Sequence, residues 1–131
     1  MSPEERDYFD EQLEIVLEGL PERAKSLLES VTLFVEDYPS AKQLRDQGAD
    51  DRADLCGLHD GIALPNRSIN DSGVHTDVVY LFREGICEQA ADEEGLIDEV
   101  ELRRQIRITV LHELGHHVGL SEDELDELGY G

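Results

Sequence analysis

The chain has 131 residues, a length that is ordinary for a single hydrophobic core and too short for two, so we expect one domain over residues 1–131. Its 32 acidic residues against 11 basic ones give a formal net charge of −21. Such a surface repels phosphate groups and argues against nucleic acids and anionic membranes as partners. The sequence also has no apolar run of the roughly 18 residues that a membrane span requires.

The N-terminal segment "MSPEERDYFDEQ" is acidic and polar, without the basic and apolar regions of a secretory signal peptide. We therefore expect a cytoplasmic protein. Cys56 and Cys87 lack C-x-x-C spacing, and two intracellular cysteines of this kind are expected to be reduced and structural.

In the first half of the chain, apolar residues recur at helical spacing over residues 4–19 and predict an amphipathic first helix. Pro21 suits the first turn of a second, short helix. The β-branched and aromatic run over residues 31–35 predicts a buried strand that ends before Pro39. Residues 40–53 are polar, and we expect them to be irregular with at most one helical turn.

In the middle of the chain, Gly57 and Gly61 predict a turn or hairpin that leads into a short strand at residues 62–64. The sequence "VVYLF" at residues 78–82 is the clearest strand signal in the chain. The segment that follows, at residues 85–95, is expected to form a short helix or a loop.

The last long element is a helix of about 20 residues, or about 30 Å, that begins after Asp98. Asp98 with Glu101 three residues later forms a D-x-x-E capping pattern, and Gly119 falls where a left-handed helix end is favoured. Apolar residues repeat along the helix at steps of four and form a broad stripe, which is typical of a helix packed on a sheet. Helices, then strands, then a helix predict an α+β domain with a small mixed sheet.

The same helix carries His112, Glu113 and His116 in the order H-E-x-x-H. Residues four apart lie on one helix face, so the two imidazoles can bind one zinc ion at about 2.0–2.1 Å. Glu113 directly follows His112 on the helix. Its carboxylate would therefore lie beside the metal, which is the position that a general base requires. The spacing therefore predicts a catalytic zinc site with one ion per chain, although a site of this composition accepts other divalent cations.

A catalytic zinc needs a third protein ligand, and the sequence places Glu122 three residues after Gly119. Glycine tolerates the positive φ that reverses the chain, so Glu122 can swing back beneath the metal. Asp123 and Glu124 are close enough in sequence to be alternatives.

Three other histidines are expected to play no part in this site. His117 points about 100° away from His116 on the helix, so we expect it at the surface or in a structural hydrogen bond. His59 and His75 are predicted to be exposed loop residues. Thr109 precedes Glu113 by one turn and could orient its carboxylate, but a helical threonine more often bonds its own backbone.

Several stretches resemble small bacterial zincin-like metallopeptidases, often called minimal zincins. They are "VEDYPS", "LCGLHDGIALPNRS", "VVYLF", "LRRQIRITVLHELGHHVGL" and "DELGY", and the resemblance covers most of the chain from about Leu27. It implies a compact α+β fold with a three-stranded sheet beside the metal-binding helix, and a peptidase activity.

The same resemblance implies that His112 and His116 bind the metal, that Glu113 is the general base, and that Glu122 fills the acidic slot. The slot is often aspartate in this family, so Glu122 is one methylene longer. The chain has no histidine there and no methionine turn, since Met1 is its only methionine, so it does not resemble the metzincins.

The leading hypothesis is a zinc-dependent peptidase that hydrolyses peptide bonds through zinc-activated water with Glu113 as general base. A short or unfolded peptide could pair with the strand at residues 78–82 if that strand is the sheet edge. Tyr80, Arg83 and Tyr130 are candidates for stabilising the oxyanion.

Two alternatives remain open at this point. The chain could be a binding or regulatory module in which four protein ligands close the metal site. It could also be a zinc amidohydrolase acting on a small molecule, which a deep enclosed pocket would favour.

Overall fold

The computed structural model describes residues 1–60 and 77–119 together with Asp123. None of the helices in these ranges is long and apolar enough to cross a lipid bilayer. A 3-10 turn at Arg52–Asp54 precedes the second strand. The α-helices and strands, in chain order, are α1 (Pro3–Glu18), α2 (Glu22–Leu28), β1 (Thr32–Glu36), α3 (Ala41–Gln47), β2 (Gly57–Asp60), β3 (Val78–Phe82), α4 (Arg83–Ala90) and α5 (Glu99–His117).

The first two helices agree with the sequence pattern. Ser2 begins α1 with a capping box, in which its hydroxyl accepts from the Glu5 backbone and the Glu5 carboxylate accepts from the Ser2 backbone. The apolar face of α1 buries Phe9 completely and contacts α5. Pro21 stands just before α2 as its N-cap instead of within its first turn.

The three strands form a mixed sheet in the order β1-β3-β2. β3 is the central strand, parallel to β1 and antiparallel to β2. The prediction of a buried strand at residues 31–35 is therefore only partly right. β1 lies at one side of the sheet, and its residues alternate between exposed and half-buried. Only its inner face contacts the core.

Two local predictions are wrong. The segment from Gly57, expected to turn, is the strand β2, and the strand expected at residues 62–64 lies outside the described residues. The polar segment 40–53 contains the two-turn helix α3 instead of irregular chain. Ser40 and Gln43 form a capping box at its start, and Gly48 ends it with a φ of +67°.

The helix α5 crosses one face of the sheet and supplies much of the core. Its N-cap is Asp98, whose carboxylate accepts from the Glu101 backbone at 3.1 Å, and Gly119 follows it with a φ of +85°, as predicted. α5 contacts α1, α4 and the strands β2 and β3, so both its position and its rotation are fixed. Its fully buried side chains include Leu102, Ile106, Val110 and Leu114.

Replacing Ile106 by alanine tests this packing. Ile106 has no exposed surface, so we expect the variant to lose about 2–5 kcal/mol of unfolding free energy in urea denaturation. Val100 lies on the same helix and is 64% exposed, so Val100→Ala should change stability by no more than about 0.5 kcal/mol. Equal losses in the two variants would contradict the packing of α5.

Candidate metal centre

The two motif histidines face each other on one side of α5. Their Nε2 atoms lie 3.1 Å apart, and the ring planes are nearly perpendicular, with centroids 4.7 Å apart. Two ligands of a tetrahedral zinc ion with bonds of about 2.0–2.1 Å are separated by about 3.3 Å. His112 and His116 therefore fit a single divalent cation between their Nε2 atoms without bending the helix.

Glu113 lies beside this pair and is 8% exposed, because α5 packs closely on β2. The close approach depends on Gly57. A Cβ atom at that position would lie 2.7 Å from Thr109 Cγ2 and 3.2 Å from Glu113 Cγ. The missing side chain thus leaves the space in which the Thr109 methyl and the Glu113 Cγ methylene pack. The Thr109 hydroxyl donates to the Gln105 carbonyl oxygen at 2.9 Å, which is the backbone bond expected of a helical threonine.

The histidine pair and Glu113 line a cleft of about 720 Å³ that is open to solvent. One wall is α5, from Gln105 to His116. The other is β2 with the residues just before it, from Asp54 to His59. An open cleft between a strand and a helix suits an extended ligand better than a small molecule that needs full enclosure.

Both cysteines are free, and Cys56 lies in the cleft wall. Burial raises the pKa of the Cys56 thiol to about 11, with a contribution from the negative charge of Glu113. Burial also raises the pKa of Cys87 to about 11. Both thiols therefore stay protonated at neutral pH, and the thiol form is a poor metal ligand.

His59 and His117 both contact the carboxylate of Asp77. His59 lies on β2 with a side chain that is 17% exposed, so its assignment as an exposed loop residue is wrong. Its Nε2 is 3.4 Å from Asp77 Oδ2. The second nitrogen-to-carboxylate contact is shorter, with His117 Nδ1 2.6 Å from the same oxygen. His117 thus makes the structural hydrogen bond that its position on the helix predicted.

The two imidazoles affect the pKa of the Asp77 carboxyl. Burial alone would raise its pKa, but hydrogen bonds from His117 and His59 outweigh that effect and lower it. Asp77 is therefore ionised at neutral pH. No sequence pattern indicates this cluster, because Asp77 and His59 meet His117 only through the pairing of β2 with β3 and the packing of α5.

Two of the candidates for the oxyanion lie away from the cleft. Tyr80 lies on the sheet face opposite α5, where its ring stacks on Phe34 at 5.5 Å. Arg83 forms ion pairs with Asp10 and Asp37 at 3.1 and 3.0 Å. Neither residue lines the cleft.

The remaining predicted residues fall at the C-terminal end and in the loop before β3. Glu122, Glu124, Tyr130 and His75 lie outside the described residues. Asp123 is described, and it is helical and exposed.

A long helix that carries an H-E-x-x-H pair across a small mixed sheet is the arrangement of a zincin-like metallopeptidase. Residues 28–131 match the protein family described as zincin-like metallopeptidase. The match spans most of the chain, which therefore belongs to this family and confirms the resemblance seen in the sequence. A search of curated proteins returned no match.

Replacing Gly57 by alanine tests whether the close contact of α5 with β2 holds the site. The added Cβ must push α5 and β2 apart, so we expect a loss of about 1–3 kcal/mol in urea denaturation. The matched control is Gly19→Ala, where the nearest atoms to a Cβ are at 3.5 Å or beyond.

A second-site variant makes this test specific. Thr109→Ser removes Cγ2, the atom nearest to the new Cβ, and keeps the hydroxyl bond to Gln105. The double variant Gly57→Ala/Thr109→Ser should be more stable than Gly57→Ala alone. Additive losses would show that the contact is not the cause.

Proposed function

We propose that the protein is a zinc-dependent peptidase that hydrolyses peptide bonds. His112 and His116 hold the zinc ion, with Glu122 as the third protein ligand. The observation that carries this proposal is the 3.1 Å separation of the two Nε2 atoms, both facing an open cleft. Membership of the zincin-like family supports the same reaction class.

A zinc ion held there supplies Lewis acidity, which activates water and polarises a peptide carbonyl. Glu113 takes the proton from the attacking water and returns it to the leaving amine. Its carboxylate suits this role because α5 and Gly57 fix it beside the histidine pair in a largely buried position. A base held in place in this way needs little reorganisation as the proton moves.

The substrate is proposed to lie along β2. The prediction that a peptide pairs with residues 78–82 is wrong, because β3 is the central strand with β1 and β2 on either side. β2 forms the cleft wall opposite the motif helix. Within residues 1–60 and 77–119 it pairs with β3 alone, along one of its two edges. An extended peptide added to the other edge would pass in front of Glu113.

The shape of the cleft favours a peptide over the two alternatives. A zinc amidohydrolase of small molecules needs an enclosed pocket, whereas this cleft is open along its length. A closed structural site has four protein ligands and leaves no position for water, whereas His112 and His116 line a cleft that is open to solvent.

Replacing Glu113 by glutamine tests the mechanism. The amide keeps the shape of the side chain but cannot accept a proton, so turnover of a peptide library should fall at least about 100-fold. The zinc bound at the motif site, measured by elemental mass spectrometry, should stay near one ion per chain, as in the wild type. Glu99→Gln, a change at an exposed residue of the same helix, is the control and should leave both values unchanged. Retained turnover in Glu113→Gln would refute the mechanism.

The identity of the third ligand is tested by single alanine variants at Glu122, Asp123 and Glu124. We expect Glu122→Ala to weaken zinc binding at least tenfold in a chelator competition assay, since a three-ligand site loses one ligand. Asp123→Ala and Glu124→Ala should bind as the wild type does. A loss confined to either of those two variants would reassign the ligand.

A further inference from the structure

We propose a second divalent-cation site, formed by His59, Asp77 and His117. One ligand atom from each residue lies within 4.8 Å of the other two. The site is separate from the proposed catalytic centre, because His117 points about 100° away from His116 on α5. It does not depend on the proposed peptidase activity.

The hydrogen bonds around His117 fix which of its nitrogens faces the cluster. The Ser30 hydroxyl lies 2.6 Å from the Leu27 carbonyl oxygen, which can only accept, so the hydroxyl donates there. Ser30 Oγ then accepts from His117 Nε2 at 2.8 Å. This bond holds a proton on Nε2 and turns Nδ1 towards Asp77. A metal-binding histidine is commonly oriented in this way, by donating its other N–H to a neighbouring oxygen.

The distances within the cluster are near those of a coordination shell. His59 Nε2 and Asp77 Oδ2 lie 3.4 Å apart, which is loose for a hydrogen bond but close to the separation of about 3.3 Å between two ligands of tetrahedral zinc. His117 Nδ1 and Asp77 Oδ2, at 2.6 Å, are at the distance of a charge-assisted hydrogen bond. A bound cation would replace the proton between them and widen this contact by roughly half an ångström.

The surroundings suit a bound cation. The three side chains are 14–20% exposed, so an ion could enter from solvent and would still be shielded from most of it. The carboxylate of Asp77 already faces both imidazoles, since its Oδ2 is the oxygen that contacts His59 Nε2 and His117 Nδ1. Two imidazoles and one carboxylate favour zinc and neighbouring first-row divalent cations over magnesium or calcium, which prefer oxygen ligands.

The three ligands come from separate parts of the fold, so the ion would have a structural effect. His59 lies on β2, Asp77 directly precedes β3, and His117 is the last residue of α5. A cation bound to all three would fasten the C-terminal turn of α5 to the sheet. This turn also carries His116, so the second site would hold the catalytic histidine in place.

The test uses a full-length variant in which the catalytic pair is absent. His112→Ala/His116→Ala is stripped with chelator, returned to chelator-free buffer, and dialysed against zinc sulfate. We expect one zinc per chain by elemental mass spectrometry, compared with two in the wild type. Adding His59→Ala to this variant should remove the remaining ion. Asp60→Ala, at the next position of β2, is the matched control and should leave it bound.

Thermal unfolding gives a second readout. Zinc should raise the melting temperature of His112→Ala/His116→Ala and should not raise it once Asp77→Asn is added, a change that keeps the size of the side chain. A folded double variant that binds no zinc would overturn the proposal and leave a hydrogen-bonded cluster. Loss of one of the two zinc ions in Asp77→Asn alone would support this site. The peptidase proposal would instead fail if His112→Ala/His116→Ala bound as many zinc ions as the wild type.

Discussion

The contact between α5 and β2 at Gly57 is the constraint on which the candidate site depends. No side chain separates the strand from the helix at this position, so Thr109 and Glu113 lie against the strand backbone. The same contact sets the rotation of α5. With Glu113 held against β2, the helical repeat turns both motif histidines into the cleft. The glycine is needed here for space, since any larger residue would occupy the room that the Glu113 Cγ methylene and the threonine methyl fill.

The parts of the fold that the sequence predicted are those governed by local rules. α5 was predicted from its apolar repeat, its N-cap Asp98 and the glycine after its end, and β3 from a run of β-branched and aromatic residues. The facing of His112 and His116 also follows from helical geometry alone. Each of these features depends on residues within a few positions of one another, so the surrounding tertiary structure hardly alters them.

The predictions that were wrong concern features that depend on contacts between distant parts of the chain. Two glycines four residues apart are usually a turn signal, but Gly57 serves the approach of a helix that lies far along the chain. The order of the strands depends on which edges pair in three dimensions. The sequence alone therefore does not indicate that β3 is the central strand. The cluster of His59, Asp77 and His117 exists only after both β2 and α5 have docked. The helix α3 is an exception, since its capping box from Ser40 to Gln43 is a local signal that the sequence contains.

The parallel pairing of β1 with β3 has a consequence for the order of assembly. Two parallel neighbours cannot be joined by a tight turn, and here α3 and β2 lie between them in the chain. The sheet therefore closes late, after a long loop has lost its freedom, whereas His112 and His116 become neighbours as soon as one turn of α5 forms. In the proposed site, the two histidines of a refolding chain would therefore be able to bind a metal ion before docking brings Glu113 against Gly57. Metal loading and hydrolytic competence would then be separate steps of folding.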